Sequence, residues 1–228
     1  MAKKEKSKGK RKAGKSTKSD KKTSRGYQNR NQTVNSRNLR KRFLIVCEGE
    51  KTEPNYFLSF RVPREVIDVR GIGENTISLV EEAIKIRDKN GDYDEVWCVF
   101  DRDSFPIKNF NAAIDCAKDN DIKVAYSNEA FEIWYLLHFD YRDTAMSRSE
   151  YETALTERLR KLGFISDNQK YRKNSKTMYE DLYPFQKQAI KRAEKLLEQY
   201  RPIDPARNNP STTVHLLVKE LNKEINWD

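Results

Sequence analysis

The chain has 228 residues, of which 36% are hydrophobic and 35% are charged, so it is long and apolar enough to bury a core. No apolar run approaches the roughly 20 residues that span a bilayer, and no signal-peptide core follows the lysine-rich start, which predicts a cytoplasmic protein without a membrane partner. The three cysteines lie far apart, which argues against a disulfide framework or a CxxC metal pair.

The net charge of +10 is concentrated at the start of the chain. Residues 1–42 hold 17 of the 45 lysines and arginines and two acidic residues, or +15, whereas the remainder holds 28 basic and 33 acidic residues, or −5. A segment with so few apolar residues cannot offset its ordering entropy, so residues 1–41 are predicted to be a disordered basic arm. The arm is interpreted either as a binder of nucleic-acid phosphates or as a solubilising extension.

The first predicted strand is the apolar run Phe43–Cys47. It shows no alternation, which indicates burial on both faces, as in a parallel sheet. Glu48 follows directly, in a loop where Gly49 permits a tight turn. Thr52 then begins a short helix with Glu53 in its first turn, where a carboxylate is favoured by the helix dipole. Glu53 is therefore interpreted as a helix-start charge.

The following elements alternate between strand and helix patterns. They are a weaker strand over Glu65–Arg70, an amphipathic helix over Thr76–Lys89, a buried strand over Glu95–Phe100, a helix over Phe110–Asp119 and a short strand over Asp121–Tyr126. This alternation predicts an α/β core over residues 42–140, with a mostly parallel four-stranded sheet flanked by helices.

The run Glu129–Phe139 is apolar almost all round, which predicts a helix buried between layers. Glu132 is the one acid inside its apolar part, so it either faces solvent or points into a site as a supporting acid. His138 on the same run is interpreted as a core residue. Residues 141–228 are predicted to form a helical extension packed on the core. Its helices are expected over Tyr151–Leu162, Lys187–Tyr200 and Ser211–Ile225.

Acidic residues follow both buried strands. Glu48 comes after the first, and Asp101 and Asp103 come after the central one. Ligands of open α/β sheets bind outside the carboxyl ends of the strands, and alternate side chains of an extended segment share a face. The three carboxylates are therefore predicted to bind Mg²⁺ or Mn²⁺ if their strands are neighbours. The alternative is that Asp103 caps the next helix and Asp101 is solvated.

Four ordered sequence blocks carry a family resemblance. They are VCEGEKTEPNYF at Val46–Phe57, DRDSF at Asp101–Phe105, SNEAFEIWYLLHF at Ser127–Phe139 and NNPSTTVHLLV at Asn208–Val218. With them the chain resembles the RloB family of restriction-linked and abortive-infection proteins, which includes AbiLii-like members. The resemblance implies a TOPRIM-like core whose acidic site serves metal-dependent phosphodiester or phosphoryl transfer. It also implies a role in bacterial phage defence and an ATPase as a partner protein.

Four cations are candidates for contacts with nucleic-acid phosphates. Lys51 lies in the loop after Glu48, and Arg172, Lys173 and Lys176 follow Tyr171 in a segment that interleaves an aromatic residue with cations. The alternative is that all four are ordinary solvated loop residues.

The combined prediction is a Mg²⁺- or Mn²⁺-dependent, nuclease-like effector that acts on DNA or RNA. In it Asp101 and Asp103 are metal ligands, and Glu48 is a ligand or a general acid/base. Two alternatives stand beside it: a non-catalytic nucleic-acid-binding partner of a defence ATPase, and a primase-like nucleotidyl transferase.

Overall fold

The computed structural model describes residues 40–73, 75–103 and 106–225. The predicted basic arm lies outside the described residues, apart from its last two positions. Ser104 and Phe105, which belong to one of the four sequence blocks, also lie outside them.

The described residues form five strands and eight α-helices. The strands are β1 (Phe43–Cys47), β2 (Ile67–Gly71), β3 (Glu95–Asp101), β4 (Lys123–Asn128) and β5 (Ser211–Thr212). The helices are α1 (Thr52–Leu58), α2 (Thr76–Asn90), α3 (Ile107–Asp119), α4 (Glu132–Phe139), α5 (Arg148–Lys161), α6 (Met178–Leu182), α7 (Gln186–Glu198) and α8 (Val214–Ile225), with a 3₁₀ turn at Tyr183–Phe185. None of the helices in these ranges is long and apolar enough to cross a membrane.

The strands form one sheet in the order β2-β1-β3-β4-β5. The first four are mutually parallel, and β5 pairs antiparallel with β4. The mixed α/β class is confirmed, but the prediction of four strands is wrong. The fifth strand lies in the predicted helical extension, at Ser211 and Thr212, which were expected to begin the last helix. Two residues are too few to show a strand period, so the pattern around them was read as helix.

Both faces of the sheet are covered by helices, which explains the unbroken apolar runs. Phe43, Ile45 and Cys47 of β1 pack into one core with α1, α4, α5, α7 and α8, while Leu44 and Val46 pack on the opposite side with α2 and α3. Every residue of β1 and β3 is buried, as predicted. The carboxyl ends of these two strands are therefore fixed by packing on both sides.

Helix α4 is a buried element that packs against α5 and α7. Its residues from Glu132 to His138 are all buried, as the apolar run predicted. His138 lies in this core with Nδ1 2.9 Å from the Trp134 carbonyl oxygen. Burial lowers the pKa of His138 to about 3, so the imidazole is neutral at physiological pH.

Candidate functional site

Two predicted site residues meet at the carboxyl ends of neighbouring parallel strands. Glu48 follows β1, Asp101 is the last residue of β3, and the two strands pair directly. The Glu48 amide donates to the Val99 carbonyl at 2.9 Å, which extends the pairing beyond β1. The Glu48 Oε2 atom accepts a hydrogen bond from the Asp101 amide at 3.1 Å. The Glu48 carboxylate therefore lies over the end of β3.

Asp103 reaches the same region through a turn. Strand β3 ends at Asp101, and Asp103 has a φ of 40°, a left-handed conformation that aspartate adopts more readily than most residues. The expectation that the two aspartates share one face of an extended segment is therefore wrong. Asp103 is not a helix cap either, because α3 begins at Ile107 and Pro106 precedes it.

The two aspartates share one guanidinium group, that of Arg148. Its Nη2 atom lies 3.2 Å from Asp101 Oδ2 and 2.6 Å from Asp103 Oδ1. Arg148 is the first residue of α5, a position where the helix dipole disfavours a cation. Its placement is thus explained by the aspartates rather than by the helix. The sequence analysis did not find Arg148, because its partners lie more than 40 positions earlier in the chain.

Two further glutamates complete an acidic cluster of Glu48, Glu53, Asp101, Asp103 and Glu132. Glu132 begins α4, is 2% exposed, and accepts a hydrogen bond from the Tyr171 hydroxyl at 3.2 Å. Glu53 lies in the first turn of α1, as predicted, but it is only 6% exposed. A helix-start charge is normally solvated, so the sequence interpretation of Glu53 missed its place in the cluster.

Glycines allow the loop after β1 to fold tightly around Glu53. A Cβ atom at position 49 would lie 2.2 Å from Glu53 Oε2. A Cβ atom at position 71, the end of β2, would lie 2.5 Å from the Gly49 carbonyl oxygen and 2.7 Å from the Glu50 Cα. A side chain at position 71 would therefore require movement of the loop backbone, and one at position 49 would displace the Glu53 carboxylate.

The cluster carries more potential negative charge than its surroundings neutralise. Burial raises the pKa of Glu48 to about 7; the Asp101 amide and Arg148 lower it, and the charge of Asp103 raises it. Burial also raises the pKa of Glu53 to about 7, and the charges of Glu132 and Glu48 act in the same direction. The pKa of Asp101 is raised by burial and by the charges of Glu53 and Glu132. A further cation at this place would restore the ionised forms.

The oxygen atoms of the cluster suit a hard divalent cation. Asp101 Oδ1 and Glu53 Oε2 are buried and have no partner within hydrogen-bond geometry, although the Phe131 amide lowers the pKa of Asp101 and the Glu53 amide lowers that of Glu53. Such weakly satisfied atoms call for an explanation, of which an ion is one. Within residues 40–73, 75–103 and 106–225, however, no three acidic, histidine or cysteine side chains are arranged as a group that could hold a metal ion. Arg148 instead joins the two aspartates, so the metal prediction for Glu48, Asp101 and Asp103 stays a prediction.

The predicted phosphate-contact residues lie in segments that are joined to residues of the cluster through the chain or through hydrogen bonds. Lys51 is exposed and directly precedes α1, two positions before Glu53. Arg172 and Lys176 are exposed, and Lys173 forms an ion pair of 3.1 Å with Glu152. The segment that carries these last three cations also receives a hydrogen bond of 3.3 Å from Asn55 Nδ2 to the Asn174 carbonyl oxygen. The structure thus fastens this basic segment to α1, next to the acidic cluster.

Tyr171 does not provide the stacking surface that the sequence suggested. Its side chain is packed in the core, the residue is 9% exposed, and its hydroxyl group is used by Glu132. Tyr171 instead connects the basic segment to the acidic cluster. His215 is likewise remote from solvent at 2% exposure, and burial lowers its pKa to about 4.

Comparison with known proteins gave one match. A scan against protein-family models matched the family described as RloB-like protein over residues 43–221. A search of the curated proteins found no significant match. A search of the solved structures found none either. The matched range includes all five residues of the acidic cluster and Arg148.

Proposed function

Because this chain belongs to the RloB-like protein family, a membership that fits a role in restriction-linked defence, we propose that it is a divalent-metal-dependent, nuclease-like effector. Its substrate is the phosphodiester backbone of DNA or RNA, and its acidic site is of the TOPRIM type. In this proposal Asp101 and Asp103 hold Mg²⁺ or Mn²⁺ together with Glu48, and Glu132 supports them.

One observation carries the proposal: acids from four parts of the chain, the loop after β1, α1, the end of β3 and α4, converge where β1 and β3 end, with two buried carboxylate oxygens left unpaired. A fold gains nothing from burying unpaired carboxylates, since desolvation of each is costly. Perturbed acids that gather at the carboxyl edge of an α/β sheet are instead typical of a functional site.

The residues divide the chemistry as follows. A bound divalent cation supplies positive charge to the phosphate oxygens of the substrate. Asp101 and Asp103, which contact Arg148 in this structure, would hold that cation. Glu48 is either a third ligand of that cation or the general acid/base: burial raises its pKa to about 7 in the metal-free protein, which suits proton exchange, whereas a bound cation would keep it ionised. Glu132 accepts the hydrogen bond of the Tyr171 hydroxyl group and so holds the start of the basic segment beside the site.

Nucleic acid is the partner that the surrounding charges favour. Lys51 precedes Glu53 by two positions, and Arg172, Lys173 and Lys176 follow Tyr171, whose hydroxyl group donates to Glu132. These segments supply cations for the phosphates of a bound backbone. The basic residues 1–42 add a net charge of +15 to the same chain. An ATPase partner follows from the family resemblance alone.

The test is incubation of the purified protein with plasmid, single-stranded DNA and tRNA in the presence of Mg²⁺, Mn²⁺ or EDTA. We expect cleavage with a divalent cation and none with EDTA. Glu48→Gln should lose cleavage, whereas Asp115→Asn, which removes an exposed carboxylate on α3, should retain it. Wild-type cleavage by Glu48→Gln, or no cleavage of any substrate, would contradict the proposal.

A second candidate is a non-catalytic nucleic-acid-binding protein. It is favoured by the ion pairs of Arg148, which already satisfy one oxygen of each aspartate, and by the strongly basic start of the chain. Salt-sensitive binding of nucleic acid that is unaffected by EDTA, without any turnover, would select this candidate over the nuclease.

A further inference from the structure

We propose that Arg148 acts as a built-in substitute cation: it occupies the aspartate oxygens in the metal-free protein and turns to a substrate phosphate when a divalent cation takes them. This inference rests on the proposed function and names a residue that the sequence did not reveal.

The contacts put Arg148 where a cation would bind. A single atom, Nη2, lies within ion-pair distance of Asp101 Oδ2 and Asp103 Oδ1. These two oxygens belong to the predicted ligand pair. A divalent cation bound by the same pair would lie close to the guanidinium, and the two positive charges would repel each other. Among the described residues no three acidic, histidine or cysteine side chains form a group that could hold a metal ion, and the cation that the aspartate pair does hold is Arg148.

Charge gives the exchange a direction. The cluster holds five carboxyl groups, and Arg148 is a monovalent cation whose guanidinium lies at one side of it. Its two ion pairs leave Asp101 Oδ1 and Glu53 Oε2 buried without a partner. A divalent cation offers twice the charge to the same oxygens, so its binding at the aspartates opposes that of Arg148.

The attachment of Arg148 leaves its side chain free to move while its backbone stays in place. Ser147 caps α5, and its amide and hydroxyl group both donate to Glu150 Oε2 at 2.7 Å, which fixes the start of the helix. The Arg148 side chain is 34% exposed, and within the part of the chain that the structure describes its Nε and Nη1 atoms donate to no protein acceptor.

A guanidinium released in this way is suited to a phosphate. Its planar fork of N–H donors matches the oxygens of phosphate as well as those of carboxylate. Arg148 already lies at the edge of the acidic cluster, so it needs only a change of side-chain conformation to meet a phosphate held beside the metal. The same residue would thus suppress metal binding in the absence of substrate and favour substrate once metal is bound.

The first experiment measures Mn²⁺ binding by electron paramagnetic resonance, without any substrate. Arg148→Met should bind Mn²⁺ about tenfold more tightly than the wild type, because the competing cation is gone. Arg148→Lys keeps the positive charge on a shorter side chain, so its Mn²⁺ affinity should lie between those of the wild type and Arg148→Met. It replaces Arg148→Met in the experiment if that variant does not fold. Equal or weaker Mn²⁺ binding by both variants would overturn the inference.

Arg158 provides the matched control. It lies on the same helix, is 35% exposed, and forms an ion pair of 2.5 Å with Asp140, away from the aspartate pair. Arg158→Met should leave Mn²⁺ affinity unchanged. A tightening equal to that of Arg148→Met would attribute the effect to a general loss of positive charge and would overturn the inference.

The second experiment tests the phosphate half. In saturating Mn²⁺, the affinity for a fluorescent phosphorothioate oligonucleotide should fall about tenfold in Arg148→Met, by anisotropy, and change little in Arg158→Met. Unchanged affinity would overturn this half. Both readouts are independent of cleavage. If the wild type does not cleave but Arg148→Met binds Mn²⁺ more tightly, the nuclease is rejected and the role of Arg148 as a substitute cation is kept. If the wild type cleaves and Mn²⁺ binding is unchanged in Arg148→Met, only the role of Arg148 is rejected.

Discussion

Strand β3 carries a buried acid at each end, and the two acids are surrounded in opposite ways. Glu95 at the start is 9% exposed and accepts bonds from Lys41 Nζ at 2.7 Å, Lys123 Nζ at 2.9 Å and Trp97 Nε1 at 2.9 Å. Burial raises its pKa, but these three donors outweigh burial and hold the pKa below its usual value.

Asp101 at the other end of the strand is 7% exposed. Its carboxylate contacts Arg148 through Oδ2 at 3.2 Å, while Oδ1 has no partner. Burial and the nearby Glu53 and Glu132 raise its pKa well above the usual range, and Arg148 and the Phe131 amide, which lower it, do not compensate. The two acids are similarly shielded from solvent, but the Glu95 carboxylate accepts from three donors, whereas the Asp101 carboxylate has one oxygen without a hydrogen-bond partner.

The difference separates an acid that serves the fold from one that is available for binding. A buried carboxylate that serves only the fold has enough hydrogen-bond donors and cations around it to compensate its charge, as Glu95 has. A carboxylate kept short of donors costs stability and is retained where a ligand completes it. Substitutions at the two ends should therefore have opposite consequences.

The largest effect should come from Asp101→Asn. Loss of a metal ligand removes several kcal/mol of transition-state stabilisation, so we expect cleavage to fall about 10³-fold or more. The fold should not suffer, because the change removes an undercompensated charge. Cleavage rates and urea unfolding would be measured together. If Asp101→Asn unfolds more easily and still cleaves at the wild-type rate, then Asp101 serves the fold and not the site.

The next effect should come from Glu95→Gln, in stability rather than activity. Three donors lose a charged acceptor, so we expect the free energy of unfolding to fall by about 1–3 kcal/mol. Cleavage should stay within about threefold of the wild type at a temperature where both are folded. A large loss of activity without loss of stability would show that Glu95 also serves the site.

A smaller effect should appear in the pH dependence of stability near the acidic cluster. The folded-state pKa of Glu53 is about 7, above the ordinary value of 4.5. The folded protein therefore binds more protons than the unfolded chain between these values, and stability is lost as the pH rises through them.

Glu53→Gln should remove this loss. The metal-free variant should gain about 1–3 kcal/mol over the wild type between pH 5 and pH 8. Comparison with the wild type at each pH cancels the opposite contribution of His138, whose lowered pKa costs stability as the pH falls below 6.5. Urea unfolding at several pH values provides the measurement, and parallel profiles for the two proteins would argue against a raised pKa.

The smallest effect should come from neutralising the basic segment with Arg172→Gln, Lys173→Gln and Lys176→Gln together. Each phosphate contact contributes about 0.7–0.9 to the slope of log K against log salt, so the slope should decrease by at most about 2–3. Neutralising Lys187, Lys191 and Lys195, which are exposed on α7, provides a control with the same charge change. Equal slopes for the two triple variants would remove the segment from the interface.

Local patterns were enough to locate the strands of the site. The unbroken apolar runs of β1 and β3 predicted burial on both faces, and the acids that follow them were placed at the same edge because parallel strands end together. Helix α4 was predicted because its composition leaves no exposed face.

The remaining features depend on contacts between distant residues. Arg148 meets aspartates 45 and 47 positions earlier, which no periodicity encodes. Glu53 has the sequence context of an ordinary first-turn charge, and only the loop around Gly49 and the ends of neighbouring strands bury it. Strand β5 is defined by the antiparallel pairing of Thr212 with Ser127, and its two residues are too few to show an alternation of apolar and polar side chains.

Strand β5 has a consequence for synthesis on the ribosome. Ser127 of β4 pairs with Thr212, which is 85 positions later in the chain and is synthesised after it. Until that residue emerges, a growing chain presents the backbone of β4 as an open edge to its neighbours. Once Ser211 and Thr212 pair with Asn128 and Ser127, the end of this edge is covered, so nascent chains that lack β5 should associate with one another more readily than chains that contain it.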